Sequence, residues 1–149
     1  EVLLNWIEAK EMRGDAITQP DIDKSINLLR DRVGADKMVL TKLNAYGLNL
    51  RDEIRRERRV ELALEGERYF DLLRWKQGDL LAKDMTGMRK STVPPSEYVY
   101  VEDIPTDDKG NLILMTGRTF SDMKNYLWPI PFTQTQRNPN LLPNNPGWE

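Results

Sequence analysis

The segment from residue 50 to residue 76 constrains the fold most, because it combines dense charge with an apolar pattern at helical spacing. At 100° per residue, one arc of this helix collects four apolar side chains: Leu50, Ile54, Val60 and Leu64. Glu53, Glu57 and Glu61 recur every fourth residue and project into the same arc. A charged row inside an apolar arc favours a partly buried Arg–Glu network, which fixes register more than it adds stability. We therefore predict a mainly α fold with this long charged helix.

Several points about the charged helix stay open. Arg58, Arg59 and Arg68 are close enough in sequence to pair with the glutamates, and other helices can supply further arginines. The alternative to a partly buried network is a run of charged side chains that are all exposed to solvent. Paired glutamates acting on a glycosidic bond would need two carboxylates across an open cleft, and one helical row does not provide that. Gly66 either separates two helices or marks a close contact with another backbone.

The first 34 residues predict two shorter helices. Trp6 lies in the first apolar repeat, and Gly14 is a plausible stop for that helix. The run Thr18-Gln19-Pro20-Asp21 is a start signal for the second helix, which Gly34 closes. A short connection predicts an antiparallel helix pair, which usually stacks on further helices as helical repeats do. Because the chain opens on a helical pattern at Glu1, we expect a fragment of a longer protein.

The C-terminal part, residues 94–149, has a different character. Pro94 and Pro95 argue against a helix nearby. Residues 97–102 alternate and are rich in β-formers, and residues 112–115 form a second strand candidate, so we predict a small β-hairpin. The stretch from residue 126 to the end is rich in Pro and Asn and should be an irregular tail.

Composition excludes several kinds of chemistry. The chain has no Cys and no His, so it lacks thiolate nucleophiles, Cys/His zinc sites and Ser-His-Asp triads. A net charge of −2 and the Glu57 inside the run Arg55–Arg59 disfavour binding to nucleic acid. Asp103, Asp107 and Asp108 do not have the spacing of an EF-hand, and a turn is the simpler interpretation. We expect no enzyme activity, no metal and no cofactor.

Aromatic residues offer the one ligand-binding signal that the residues themselves give. Tyr98 and Tyr100 would share one face of the predicted strand, where exposed rings could stack on sugars. The alternative is that they pack against the helical layer. Trp6 and Trp75 lie on helices and should be core residues, whereas Trp128 and Trp148 should pin the tail.

Three motifs, in this order, resemble the SusD/RagB family. The first is INLLRDRVG at residues 26–34, and the second is IRRERRVELALEGERYFDLLRW at residues 54–75. The third is the tail, with YLWPIP at 126–131, NPNL at 138–141 and NNPGW at 144–148. The family commonly has Gln and Tyr where this tail has Asn144 and Trp148. By this resemblance the chain is a SusD/RagB-like C-terminal domain over residues 1–149.

The resemblance also implies what the motif residues do. Residues 1–34 would be the last tetratricopeptide-like helix pair of a repeat scaffold, residues 50–76 the signature helix, and residues 94–149 the hairpin and tail. The matching residues carry over as scaffold residues rather than ligand contacts: Arg56, Glu57, Arg58, Arg59, Glu61, Glu65, Gly66, Arg68, Asp71, Trp75, Pro129, Pro131, Asn138, Pro139, Pro146 and Gly147.

The function that the resemblance implies is binding of glycans such as starch at the cell surface, for nutrient uptake and polysaccharide utilisation. Members of the family are lipoproteins of the outer membrane that deliver oligosaccharides to a SusC-like TonB-dependent transporter. The lipid anchor would then lie outside this chain. A helical-repeat module that binds protein and never sugar is the alternative. The resemblance does not locate the sugar contacts, so Tyr98 and Tyr100 are the ligand-binding candidates on this chain.

Overall fold

The structure, a computed structural model, describes residues 1–148 and divides the chain into two compact units. The first unit is Glu1–Tyr69, and the second begins at Phe70. Within the described residues the chain is mainly helical, with one two-stranded antiparallel sheet, as the sequence predicts.

Five helices build the first unit: α1 (Val2–Met12), α2 (Gln19–Asp23), α3 (Ile26–Val33), α4 (Leu40–Ala45) and α5 (Leu50–Glu61). Helix α5 packs against both α1 and α3. Their shared core consists of buried apolar side chains from every one of these helices and from two connecting segments: Leu4, Ile7, Ile22, Ile26, Met38, Leu43, Ile54 and Leu62. Burial of this set is the main force that holds the short helices together, because helices of this length are marginal alone.

The start and stop signals of the first two predicted helices are confirmed, but the second helix is broken. Thr18 and Asp21 form a capping box at the start of α2, and Gly14 and Gly34 have left-handed φ values of +78° and +67° after α1 and α3. Between α2 and α3 the chain leaves the helix at Ser25, whose hydroxyl donates to the Asp21 carbonyl at 2.6 Å. Such back-bonding competes with regular helix hydrogen bonds.

The long helix predicted over residues 50–76 is two helices, α5 and α6 (Glu67–Arg74). Leu64 and Gly66 adopt positive φ values of +67° and +84°, which ends the helical path. A Cβ added at Gly66 would meet nothing within 4 Å, so this glycine separates helices rather than admitting a close backbone. The predicted apolar arc is wrong at its C-terminal end, because Val60 and Leu64 are exposed while Ile54 is buried.

In the second unit, α6 is followed by α7 (Asp79–Ala82), β1 (Met85–Arg89) and β2 (Asn111–Met115). The strands pair antiparallel, with Met85 opposite Met115 and Arg89 opposite Asn111. The prediction of a strand over residues 97–102 is therefore wrong, since β2 pairs with a segment earlier in the chain. Pro95–Tyr100 is a 3₁₀-helix instead. Pro95 occupies the first turn, where a missing N–H costs nothing, so the expectation that Pro94 and Pro95 exclude a helix nearby is also wrong.

The turn predicted at Asp107 is confirmed. The carboxylate of Asp107 accepts from the side chain of Asn111 at 2.9 Å and from the backbone N–H groups of Asn111 and Lys109 at 2.8 and 2.9 Å. The Asn111 amide is the leading cause of a lowered pKa for Asp107. Local hydrogen bonds therefore occupy this carboxylate, as an Asx turn requires.

The tail contains more regular structure than the sequence predicts. Helix α8 spans Phe132–Arg137, and a 3₁₀-helix follows at Pro139–Leu141. A proline stands at the start of each: Pro131 immediately precedes α8, and Pro139 is the first residue of the 3₁₀-helix, where its fixed φ suits the helix. Within the described residues, no helix has the length and apolar character needed to cross a bilayer.

Candidate functional site

The charged row of α5 forms the partly buried Arg–Glu network that the sequence predicts. Glu57 accepts from the Arg30 guanidinium of α3 at 2.5 Å, and these side chains are only 12% and 16% exposed. Glu61 pairs with Arg32, and Glu53 pairs with Arg56 within α5. The sequence pattern located the glutamates, but two of their arginine partners come from α3.

Other charged residues of the signature segment take different positions. Arg58 is buried and donates to the Asn5 amide oxygen at 2.6 Å, with Glu67 at 4.0 Å. Asp71 is buried and pairs with Arg74 at 2.8 Å. Arg59, one of the three arginines close enough in sequence to reach the glutamate row, is exposed. Trp75 is buried, as expected.

Asn27 explains much of the motif at residues 26–34. Its buried carboxamide donates to the Met38 carbonyl at 3.0 Å and accepts from the Met38 N–H at 2.7 Å. It also donates to the Asp23 carboxylate at 2.7 Å. Arg30 and Arg32 of the same motif reach the glutamates of α5. The motif therefore connects α3 to its two neighbouring segments, and its residues are occupied by structural bonds.

Side chains of the C-terminal motif close the tail back on itself. The Asn144 carboxamide both accepts from the Ile130 N–H at 2.8 Å and donates to the Ile130 carbonyl at 3.2 Å. Asn145 donates to the Trp128 carbonyl. The Trp148 indole N–H lies 3.0 Å from the carbonyls of Lys124 and Leu127.

Of the two tail tryptophans, only one pins the tail with its ring. The Lys124 ammonium lies 3.9 Å from the Trp148 ring centroid, which confirms the anchoring role of Trp148. Trp128 is 71% exposed, so the prediction for its ring is wrong. Its contribution is the backbone carbonyl that Asn145 reaches.

An open apolar groove of about 910 Å³ lies against the closed tail. Its lining includes Pro129, Pro131, Phe132, Pro139 and Leu142. Two of the polar residues at its wall, Thr135 and Asn144, already have hydrogen-bond partners in the tail. Oligosaccharides need convergent polar groups beside an apolar surface. The groove therefore has little of the polar chemistry that a sugar would require.

Tyr98 and Tyr100 lie on the 3₁₀-helix, not on a strand, and they do not share a face. Two residues apart on a helix of three residues per turn, their side chains point about 120° apart. Tyr98 is 42% exposed and Tyr100 is 79% exposed, so neither is a core residue. The Lys90 ammonium lies 5.5 Å from the Tyr98 ring centroid and donates to the Ile104 carbonyl at 3.4 Å.

Trp6 of α1 is also exposed, so the prediction that it is a core residue is wrong. It is 40% exposed, and the ammonium groups of Lys24 and Lys10 lie 4.6 Å and 5.7 Å from its ring centroid. Both lysines pair with Asp21, at 3.1 and 2.7 Å. The spacing of Trp6 and Lys10 at i and i+4 was the available sequence signal, but Lys24 reaches the ring only through the fold.

Known proteins that resemble this chain match nearly its whole length. The sequence model of the SusD family matches residues 1–148. The SusD-like protein P2 of Formosa agariphila is 28% identical in an alignment of 152 positions, which covers 99% of this chain and 24% of that protein.

Two solved structures from Bacteroides fragilis are similar as well. A SusD-like carbohydrate binding protein aligns with a TM-score of 0.71 and 29% identity, covering 94% of this chain and 27% of that one. A second SusD-like protein aligns with a TM-score of 0.67 and 27% identity, covering 98% of this chain and 24% of that one. The chain thus spans about a quarter of the length of these relatives.

Proposed function

Because the chain belongs to the SusD family, we propose that its protein binds oligosaccharides or polysaccharides in nutrient uptake. The observation that carries this proposal is the family match over residues 1–148. The similarity to a SusD-like carbohydrate binding protein, at a TM-score of 0.71, supports it further.

The SusD family is a family of non-catalytic binding proteins, which agrees with the expectation that this chain is not an enzyme. The glutamates of α5 were the catalytic alternative, and they are held by arginines in the first unit. A carboxylate engaged in an ion pair is poorly placed to protonate a leaving group.

The finer parts of the proposal concern place and partners. In this proposal the chain is the C-terminal portion of a lipid-anchored protein exposed on the outer membrane. The bound glycan is passed to a SusC-like TonB-dependent transporter. The order of the helix-pair, signature-helix and tail motifs supports the C-terminal position, because all three follow one another in this chain as the family resemblance requires.

Tyr100 is the sugar contact on this chain that the proposal favours, with Tyr98 beside it. An aromatic ring that is 79% exposed has a free face for the C–H surface of a sugar. Tyr98 is 42% exposed, so less of its ring is accessible than that of Tyr100. The two rings would then contact different parts of a ligand, because they do not share a face.

A glycan array probed with the full-length protein tests the proposal. We expect binding to at least one oligosaccharide class, and Tyr100→Ala should weaken it about two- to ten-fold if the ring stacks on the sugar. Tyr46→Ala is a matched control, since Tyr46 is 76% exposed but lies in the helical first unit.

The alternative, a protein-binding module, predicts a different result. Binding to no glycan on the array, together with capture of the transporter in a pull-down, would contradict sugar binding. Equal loss of affinity in both tyrosine variants would contradict the specific role of Tyr100.

A further inference from the structure

Trp6 forms an exposed aromatic surface on α1 with an ammonium group close to its ring. The indole is 40% exposed, and the Lys24 ammonium lies 4.6 Å from its centroid. Val2, one turn earlier on the same side of the helix, is 79% exposed and extends the apolar surface. An aromatic face beside a cation combines the two features that recognise a ring carrying negative charge.

Asp21 holds the two lysines in place before any ligand arrives. Its side chain, only 6% exposed, contacts the ammonium groups of Lys10 at 2.7 Å and Lys24 at 3.1 Å. Thr18 in turn donates to Asp21 from its N–H at 2.9 Å and from its hydroxyl at 2.7 Å. Lys10, followed by these Thr18 bonds, lowers the pKa of Asp21 well below its ordinary value, so the carboxylate stays ionised.

The charge of this cluster is not balanced. Two ammonium groups face one carboxylate, which leaves one positive charge in excess beside Trp6. Lys24 is the accessible member, because its side chain is 60% exposed whereas that of Lys10 is 24% exposed. An ammonium has three N–H donors, so Lys24 keeps donors for an anion beyond its bond to Asp21.

We propose that Trp6 and Lys24, held by Asp21 and Lys10, form a subsite for a sugar ring that carries an anionic substituent. The apolar C–H surface of the sugar packs on the exposed part of the indole, and its carboxylate or sulfate accepts from Lys24, which lies over the ring. The preformed position of Lys24 lowers the entropy lost on binding. This inference rests on the proposed carbohydrate function and adds to it a class of ligand and a location.

Calorimetric titration of the full-length protein with an oligogalacturonate and with its methyl ester tests the subsite. The two ligands share a sugar backbone and differ in charge. We expect the acid to bind up to about five-fold more tightly than the ester at low salt, as one exposed ion pair allows. High salt should remove that advantage. A sulfated galactan oligosaccharide then separates preference for sulfate from preference for carboxylate.

Two matched pairs of variants locate the effect. Lys24→Gln should abolish the preference for the acid, whereas Lys37→Gln should keep it. Lys37 is also 60% exposed and paired with an aspartate, Asp31 at 3.3 Å, so both variants remove the same charge from equally exposed lysines. Trp6→Ala should weaken both ligands by about two- to ten-fold, and Trp128→Ala, which removes another exposed indole, should not.

Specific outcomes would overturn the subsite. Equal affinity for acid and ester, or an equal effect of the two lysine variants, would show that Lys24 has no special role. Binding of other glycans without any binding of acidic ones would also reject it, while leaving the proposed carbohydrate function intact. If Trp6→Ala fails to fold, the Lys24 and Lys37 variants still decide the question.

Discussion

Asn27 connects α3 to the segment before α4 through both ends of its carboxamide. The same side chain satisfies the N–H and the carbonyl of Met38, which are otherwise outside regular structure. A sequence pattern can mark such a residue as unusual within a helix, but its partner lies eleven residues further on and depends on the fold.

We expect Asn27→Ala to lower the free energy of unfolding by about 1–3 kcal/mol, because it leaves the buried N–H of Met38 without its acceptor. The Met38 carbonyl keeps the Gln19 amide as a donor, at 2.9 Å. Chemical denaturation of the full-length protein measures the change. Asn44→Ala, an exposed position in α4, is the control and should have an effect within about 0.5 kcal/mol. Similar values for both variants would mean that the bonds to Met38 contribute little.

Glu57 gives a second prediction at the scale of a single residue. Its partner Arg30 is 16% exposed, so Glu57→Ala leaves a largely desolvated guanidinium unpaired. The loss should approach the range of about 3–5 kcal/mol that is typical when one partner of a buried pair is removed. The shift in thermal midpoint measures it.

Glu65→Ala provides the comparison for that variant, because Glu65 is an exposed glutamate in the link after α5. We expect it to change stability by less than about 0.5 kcal/mol. A Glu57→Ala midpoint within one or two degrees of the wild type would indicate that solvent already screens the Arg30 pair.

At the scale of elements, Gly147 allows the end of the chain to return to the tail. Its φ is +79°, and a Cβ at this position would lie 3.0 Å from Lys124 Cβ and 3.3 Å from Lys124 Cα. The backbone conformation and the close approach therefore both require glycine. This gives a physical role to one residue that the sequence analysis carried over from the family.

We expect Gly147→Ala to release the C-terminal segment and to cost about 1–3 kcal/mol through crowding, in addition to about 1–2 kcal/mol for the left-handed backbone. Hydrogen exchange at the amides near Ile130 and Trp148 reports the release. Gly117→Ala isolates the backbone contribution, since Gly117 has φ +71° and nothing within 4 Å of an added Cβ. Equal effects would mean that contact with Lys124 is unimportant.

Local signals predicted some elements well and others poorly. The start of α2 and the ends of α1 and α3 follow from a capping box and two glycines, which act over a few residues. The break after α5 was harder to place, because Leu64 takes a left-handed conformation that its side chain disfavours. The β-hairpin was assigned to the wrong segment, because pairing of β1 with β2 is a long-range choice that alternation within residues 97–102 cannot reveal.

The candidate ligand residues show a similar limit. Alternation in the sequence marked Tyr98 and Tyr100 as candidate sugar contacts on a strand, where they would share a face. They lie on a 3₁₀-helix instead, where residues two apart do not share a face. The sequence did not reveal Trp6 as a surface residue, because periodicity assigns apolar residues to a core without showing which side of α1 faces it. The cluster with Lys24 depends on the approach of α2 to α1, which no local pattern encodes.

At the scale of the whole molecule, Asp21 makes the stability of the fold depend on pH in the acidic range. Its pKa is lowered in the fold, so its contribution is fully present above the ordinary value of 3.8 and is lost as the pH falls toward the lowered value. We expect Asp21→Asn to lower the thermal midpoint at neutral pH, and the gap from the wild type to shrink below about pH 4. Thermal melts from pH 7 to pH 2.5 measure this gap, and a constant gap would contradict the assignment.

The closure of the tail has a consequence for the conditions that this protein tolerates. Small extracellular domains often close such loops with disulfides, but this chain has no Cys. Here carboxamides and an indole connect residues up to 24 positions apart, as between Lys124 and Trp148. Hydrogen bonds, unlike disulfides, are not broken by reduction, so reducing agents should leave the tail closed. Denaturants that compete for hydrogen bonds, such as urea, should open it.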